Sequence, residues 1–349
     1  MKKTADPLIF ILLISLNISS LFFIRSFSIN SFKNQLLFSI FGIFIFILLA
    51  KLGHSFFLRF SRYLYIIFLI LLFLTLFSKP IANTKAWLHF GLFNFQPSEW
   101  LKPILCLFIS EELRRNSSKI AKIFILAFIP LIIIFLQPDF GTSLAFFTIL
   151  FLFLFFQRFN FSLMISFLIF FFVSIIFFWF FVLKPYQKQR IYTFLFPRHS
   201  QSPSAYQSKQ SLIAVGSGKL TGRGFSHATQ SQLKFLPAQH TDFIFAGISE
   251  RLGFLGTFTH ILAYLILIFY SIHIANTAPN KEEKTLVYLI IGYFSFHIIY
   301  NIGMVVGMFP VTGIPLLLLS YGGSALTASY FSFGLINSIS LRRFGEYEI

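Results

Sequence analysis

The sequence predicts an all-α polytopic membrane protein, with about ten transmembrane helices and one long extracytoplasmic loop. Three observations lead there. Hydrophobic residues fill 56% of the 349 positions and charged residues only 11%, which excludes a soluble domain with an ordinary polar surface. The apolar residues gather into runs near the roughly twenty residues that cross a bilayer. Those runs do not alternate in polarity, which excludes a closed β-barrel, the other fold that leaves no backbone group unpaired in lipid.

The candidate spans are residues 7–25, 34–51, 61–78, 97–112, 122–137, 141–157, 161–183, 242–270, 285–307 and 316–340. The first follows Met1-Lys2-Lys3 with no clear small-residue cleavage site, so it reads as an uncleaved helix and not as a signal peptide. The fourth to sixth are short or interrupted. The chain reads as a single integral membrane domain, 1–349, without a soluble domain, coiled coil or internal repeat. Residues 184–241 form the large loop between spans seven and eight. Ten spans put both termini on one side. With the N-terminus inside, the inside segments carry fourteen Lys and Arg, and the short outside loops carry four, Arg25, Lys33, Lys79 and Lys85. Cytoplasmic loops accumulate such residues, so both termini are expected in the cytoplasm and the long loop outside, where ATP is absent. This placement also accounts for the net charge of +17 without a nucleic-acid partner. The 54 Phe residues read as lipid-facing filler. Cys106, the single cysteine, sits in an apolar run and excludes a disulfide framework or thiolate metal site.

The stretch Lys184 to Asp242 carries eight Lys and Arg and no acid before its last residue. Asp242 there is either a helix cap or a reactive group. The surrounding cations are expected to keep it ionised, ready to accept a proton or hold a divalent metal, Mg²⁺ or Mn²⁺. Lys188, Arg190, Lys219 and Arg223 are candidate partners for an anionic, phosphate-bearing ligand, with His240 beside the acid. The run Gly216-Ser217-Gly218-Lys219-Leu220-Thr221-Gly222-Arg223-Gly224 lacks Walker A spacing. Its backbone N–H groups either cradle a pyrophosphate or belong to a flexible loop resting on anionic headgroups. Glu250 is expected two turns deeper than Asp242 on the same helix face.

Other motifs fall on the same outer face. In Gln96-Pro97-Ser98-Glu99-Trp100-Leu101-Lys102, Pro97 suits a first helical turn, and Glu99 and Lys102 share a helix face. Ionisable groups at a membrane boundary usually line a polar cavity. Asp139, in Gln137-Pro138-Asp139-Phe140-Gly141-Thr142, reads first as a cap. Pro310-Val311-Thr312-Gly313-Ile314-Pro315 forbids a regular helix. Gly322-Gly323-Ser324 suits close packing, with Ser324 a candidate contact for a substrate headgroup. His260, His273, His297 and Asn301 have no metal-site spacing and read as packing groups.

Together these runs resemble the SEDS family of polytopic peptidoglycan glycosyltransferases, the RodA, FtsW and SpoVE group. The resemblance rests on Gln96-Pro97-Ser98-Glu99, Gln137-Pro138-Asp139-x-Gly141-Thr142, Gln210-Ser211-x-x-Ala214-x-Gly216-Ser217-Gly218, His240-Thr241-Asp242-Phe243-Ile244-Phe245 and Ser320-Tyr321-Gly322-Gly323-Ser324. Pro310 to Pro315 and the short termini look like the RodA, or elongation, branch. Three positions depart from the family pattern: Lys85-Ala86-Trp87 stands where Arg-Trp is usual, Arg251 replaces a Glu, and Leu317 replaces a Pro. The resemblance implies polymerisation of lipid II into glycan strands on the outer face of the cytoplasmic membrane. The 4-hydroxyl of the acceptor GlcNAc attacks C1 of the donor MurNAc and undecaprenyl pyrophosphate leaves. It implies a catalytic Asp242, functional Glu99 and Lys102, a divalent cation, and a class B penicillin-binding protein transpeptidase as partner within the elongation machinery. The alternative is a lipid II flippase, which needs polar groups through the membrane middle. The motif acids crowd the outer face instead.

Overall fold

A computed structural model describes residues 5–81, 84–91, 93–115, 119–157, 185–196, 202–233 and 235–342, with scattered positions between 162 and 180. The helices are α1 (Pro7–Phe27), α2 (Ile29–Leu52), α3 (His54–Leu74), α4 (Pro97–Arg115), α5 (Ile120–Leu136), α6 (Phe140–Phe156), α7 (Pro185–Leu195), α8 (Pro203–Ser217), α9 (Thr229–Gln232), α10 (Ile244–Thr277), α11 (Lys281–Val305) and α12 (Gly323–Arg342). Strands β1 (Leu88–His89) and β2 (Asn94–Phe95) form a small antiparallel hairpin. The fold is all-α and polytopic. Among the described residues, helices stand at nine of the ten predicted spans; the other, 161–183, lies mostly outside them.

Local chemistry starts these helices where they start. Asp6 caps α1, with Pro7 in its first turn, Ser28 caps α2, and Ser202 caps α8. Burial then divides the bundle into two kinds of helix. Outward faces are apolar and exposed, as at Ile11, Ile18, Phe41, Ile66 and Phe269. By contrast α4 is buried from Pro97 to Leu113 except at Trp100, and α12 from Ser324 to Leu341 except at Ala325. These two helices are surrounded by protein, and α4 can therefore carry Glu99, Lys102, Glu111 and Glu112 without exposing them to lipid.

The two ends of the bundle differ. At one end the start of α1 meets the last turns of α12: the Asp6 N–H donates to Asn337 Oδ1 (2.7 Å), Ser340 donates to Asp6 Oδ2 (2.6 Å), and Glu283 pairs with His54 (3.0 Å) and Arg342 (2.6 Å). At the other end the motif-bearing loops meet. Gln187 donates to the Pro138 carbonyl (2.9 Å) and Ser211 to the Val305 carbonyl (2.7 Å).

Two spans differ from the sequence expectation. Residues 316–322 form an irregular turn, with Leu318 at φ 72°, and α12 begins only at Gly323. The helix α10 is broken at Gly253 (φ 65°, ψ −165°), so a buried half-helix, 244–252, precedes the segment that crosses the membrane. A break orphans backbone groups on both sides. The glycine-rich run satisfies them: Arg223 N–H donates to Glu250 O (2.9 Å), Gly224 N–H to Arg251 O (3.0 Å), Phe254 N–H to Lys219 O (2.8 Å) and Leu255 N–H to Leu220 O (3.0 Å). The glycines allow the approach, since a Cβ on Gly218 would lie 2.0 Å from Ser249 O and one on Gly222 2.1 Å from Arg251 O.

The run is therefore a backbone splice, in which the Arg223 and Gly224 N–H groups are already paired. Glu250 adds a side-chain contact beside the splice. It accepts from the backbone N–H groups of Gln230 (2.8 Å) and Ser231 (2.9 Å) and the Ser231 hydroxyl (2.6 Å), so it pins α9. Arg251 pairs with no acid in the described residues; its guanidinium stacks over Phe27 (4.3 Å) and Phe225 (5.0 Å) and donates to Ser26.

Substitution tests the splice. Gly218→Ala should cost about 1–3 kcal/mol by overpacking, lowering the melting temperature in detergent. Gly216→Ala meets open space within a helix and should leave it unchanged or raise it.

Candidate active site

The loops at the motif-bearing end enclose a cavity of about 290 Å³, lined among others by Trp87, Glu99, Asp139, Arg190, Asp242, His297 and Ser324. Its floor is the turn that precedes α10. All three carbonyls of His240-Thr241-Asp242 are held from outside the turn. The Tyr321 N–H donates to His240 O (2.8 Å), the Ser320 hydroxyl to Thr241 O (2.6 Å) and Asn301 Nδ2 to Asp242 O (2.8 Å). Asn301 Nδ2 also donates to Ile314 O (2.7 Å), tying the turn to the Pro310–Pro315 loop. That loop passes so near the acid that a Cβ at Gly313 (φ 82°) would lie 3.6 Å from Asp242 Oδ2.

Asp242 is half-buried and meets solvent through the cavity. Burial pushes its carboxyl up to about 6, against the opposing pull of the Arg190 guanidinium and a hydrogen bond from Thr241. Burial therefore outweighs the cations, which the sequence alone suggested would dominate; the group still ionises near neutrality. Asp139 is likewise raised by burial, opposed by hydrogen bonds from the Thr142 hydroxyl (2.8 Å) and N–H (3.1 Å). It caps α6 as expected and lines the cavity as well. The His240 imidazole is lowered by burial and lies beside the Tyr321 ring, at 5.7 Å between centroids.

On the opposite wall, the first turn of α4 presents Glu99. Lys102 Nζ donates to Glu99 Oε1 (2.9 Å) across one helical turn, and both side chains are buried. Lys102 stands behind Glu99, and His297 Nε2 lies 2.8 Å from its ammonium. Ser324, at the start of α12, accepts from the Gln96 N–H (3.1 Å), so it joins two helix starts while lining the cavity.

The structure thus brings together Asp242, Glu99, Lys102, Arg190, His240 and Ser324. Lys188, two residues from Arg190 on α7, is turned off the cavity wall by the helical period. Lys219 and Arg223 are exposed at the splice and do not line this cavity. The sequence marks His297 and Asn301 only as packing groups and leaves Gln35 unremarked. Gln35 is fully buried on α2 and holds the turn before α12, donating to Ser320 O (3.3 Å) and accepting from the Gly322 N–H (3.2 Å). Their common signal was present: polar side chains inside apolar spans, which are expensive unless they are used.

The chain matches the model of the FtsW, RodA and SpoVE cell cycle protein family over residues 4–344. It belongs to this family. It is 35% identical to the peptidoglycan glycosyltransferase MrdB of Escherichia coli K12, covering 98% of this chain and 95% of that one. It is 27% identical to the peptidoglycan glycosyltransferase RodA of Treponema pallidum, covering 97% and 98%. Two solved structures share the fold over 99% of this chain. One, described under polymerization and crosslinking by a peptidoglycan synthase complex, has a TM-score of 0.81 at 23% identity and is covered over 99% of its length. The other, the rod shape determining protein RodA of Thermus thermophilus, has a TM-score of 0.72 at 22% identity and is covered over 98%.

The buried pair on α4 yields a stability test. Lys102→Met leaves Glu99 without its cation and should cost about 3–5 kcal/mol. Glu99→Gln combined with Lys102→Met should recover part of that loss, read as melting temperature in detergent.

Proposed function

We propose that this protein is a peptidoglycan glycosyltransferase of the RodA branch, polymerising lipid II into glycan strands during cell elongation. The observation that carries the mechanism is Asp242: one carboxylate, held by its backbone in a polar cavity, facing a guanidinium and a buried Glu–Lys pair. An acceptor sugar hydroxyl is a poor nucleophile until its proton is taken. Asp242, with its carboxyl near 6, is ionised at neutral pH and basic enough to take it. Oxygen then attacks C1 of the donor MurNAc as the bond to the pyrophosphate breaks. Arg190 lies where it can stabilise the charge that builds on that leaving group. Glu99 and Ser324 are placed to accept from or donate to sugar and amide groups. The activated donor supplies the driving force, so no nucleotide is needed.

A divalent cation, Mg²⁺ or Mn²⁺, fits the donor chemistry in a restricted way. Among the described residues no three His, Cys, Asp or Glu side chains converge. Asp242 would be a metal ligand with the rest of the shell drawn from pyrophosphate and water, the usual pattern for Mg²⁺. The bound ion would supply Lewis-acid stabilisation of the leaving pyrophosphate. Positive-inside charge supports cytoplasmic termini in the cytoplasmic membrane, with the cavity at the outer face. Likeness to a chain from a peptidoglycan synthase complex supports a class B penicillin-binding protein as partner.

Purified protein in detergent, given lipid II and Mg²⁺ or Mn²⁺, should form glycan polymer. Asp242→Ala should reduce that by at least about 10²-fold while the protein stays folded. Turnover should fall below about pH 6, as the Asp242 carboxylate takes up its proton. Arg190 holds that carboxyl down, so Arg190→Gln should move the acid limb to higher pH. A wild type that forms no polymer, even with its transpeptidase, but translocates lipid II in vesicles would be a flippase.

A further inference from the structure

The proposed reaction uses Glu99 and Lys102 but leaves His297 unexplained. His297 is 2% exposed, lies on α11 and reaches the cavity wall. Its two ring nitrogens have different partners. Nδ1 lies 3.2 Å from the Pro315 carbonyl and Nε2 lies 2.8 Å from Lys102 Nζ. A carbonyl oxygen can only accept, so Nδ1 carries the ring proton. Nε2 is then left with its lone pair, facing an ammonium that can only donate. The network thus selects one neutral tautomer and uses both edges of the ring.

Lys102 is held in consequence from three directions. It donates to Glu99 Oε1 (2.9 Å) and to His297 Nε2 (2.8 Å), and it stands 5.8 Å from the Tyr293 ring centroid. A flexible four-carbon side chain loses its freedom there. Its ammonium in turn sets the orientation of the Glu99 carboxylate at the cavity wall. One turn further along α11, Asn301 holds Ile314 O and Asp242 O. The same helix face therefore spaces the Glu99 wall from the Asp242 floor, using residues four apart and two adjacent carbonyls of one loop, Ile314 and Pro315.

Resting on the glycosyltransferase reading, we infer that His297 is a positioning residue for this reaction: through Lys102 it orients Glu99 toward the bound sugar, at a fixed distance from Asp242. It does not itself exchange a proton with substrate. Outer partners of this kind typically change rates by about 10–100-fold.

Three substitutions separate this role from simple packing. His297→Gln keeps one acceptor for Lys102 and one donor for Pro315. His297→Asn is shorter, keeps the Pro315 bond and cannot reach Lys102. His297→Leu keeps neither. Steady-state kinetics on lipid II should show His297→Gln retaining most of kcat. His297→Asn and His297→Leu should both lose about 10–100-fold in kcat with KM little changed. The proposal is overturned if His297→Asn matches the wild type, or if His297→Gln is as impaired as His297→Leu. A double-mutant cycle in melting temperature, His297→Asn with Lys102→Met, reads the contact without turnover. Losses that fail to add support the contact, and losses that add remove it. Should the wild type make no polymer, the glycosyltransferase reading falls, and this cycle still decides the His297–Lys102 contact.

Discussion

Hydrogen bonds to three consecutive carbonyls hold the turn that carries Asp242 in place. An aspartate before a helix is ordinarily free to swing with its loop. Here Tyr321, Ser320 and Asn301 each bond one carbonyl of His240-Thr241-Asp242. The donors come from α11 and the turn before α12, 59 and 79 positions along the chain from the carbonyls that Asn301 and Ser320 hold. The turn before α12 is held in its own right by Gln35 from α2, Ser20 from α1 and Tyr264 from α10. One acid is thereby positioned through contacts that reach α1, α2, α10 and α11, a preorganised arrangement.

The break in α10 serves the same end. A continuous helix would carry the chain from Asp242 straight into lipid. Gly253 turns the segment so that 244–252 stays inside the protein, with Ile244 to Arg251 buried. The orphaned backbone groups are then paired by the glycine-rich run. The long loop is thus covalently remote from the break but structurally part of it, and a substitution at Gly218 or Gly222 bears on the half-helix that starts beside Asp242. Glu250 and Arg251 complete the joint, one by pinning α9 and the other by packing a cation between two Phe rings.

Polar burial follows the position of each helix in the bundle. Helices that face lipid carry their Phe and Ile outward, while α4 and α12 are enclosed by other helices. Enclosure makes the Glu99–Lys102 pair tolerable, since each charge finds a partner in place of water. Without the surrounding helices the same residues would disqualify α4 as a membrane span.

Most of the fold was legible in the sequence because lipid imposes a single rule, twenty or so apolar residues per crossing. Glu99, Lys102 and Asp242 stand out in the sequence as candidates because ionisable groups at a membrane boundary are costly. The splice itself was not legible because charge and glycine content look alike in a phosphate cradle and in a backbone splice. His297 and Asn301 read only as packing groups because one buried polar side chain says nothing of which distant carbonyl or ammonium it meets. The sequence by itself therefore determined most of the membrane spans and the ionisable groups they carry, both matters of local composition. Only the tertiary structure decided which of the cations face Asp242, because that depends on a helix broken at Gly253 and on bonds between residues up to hundreds of positions apart.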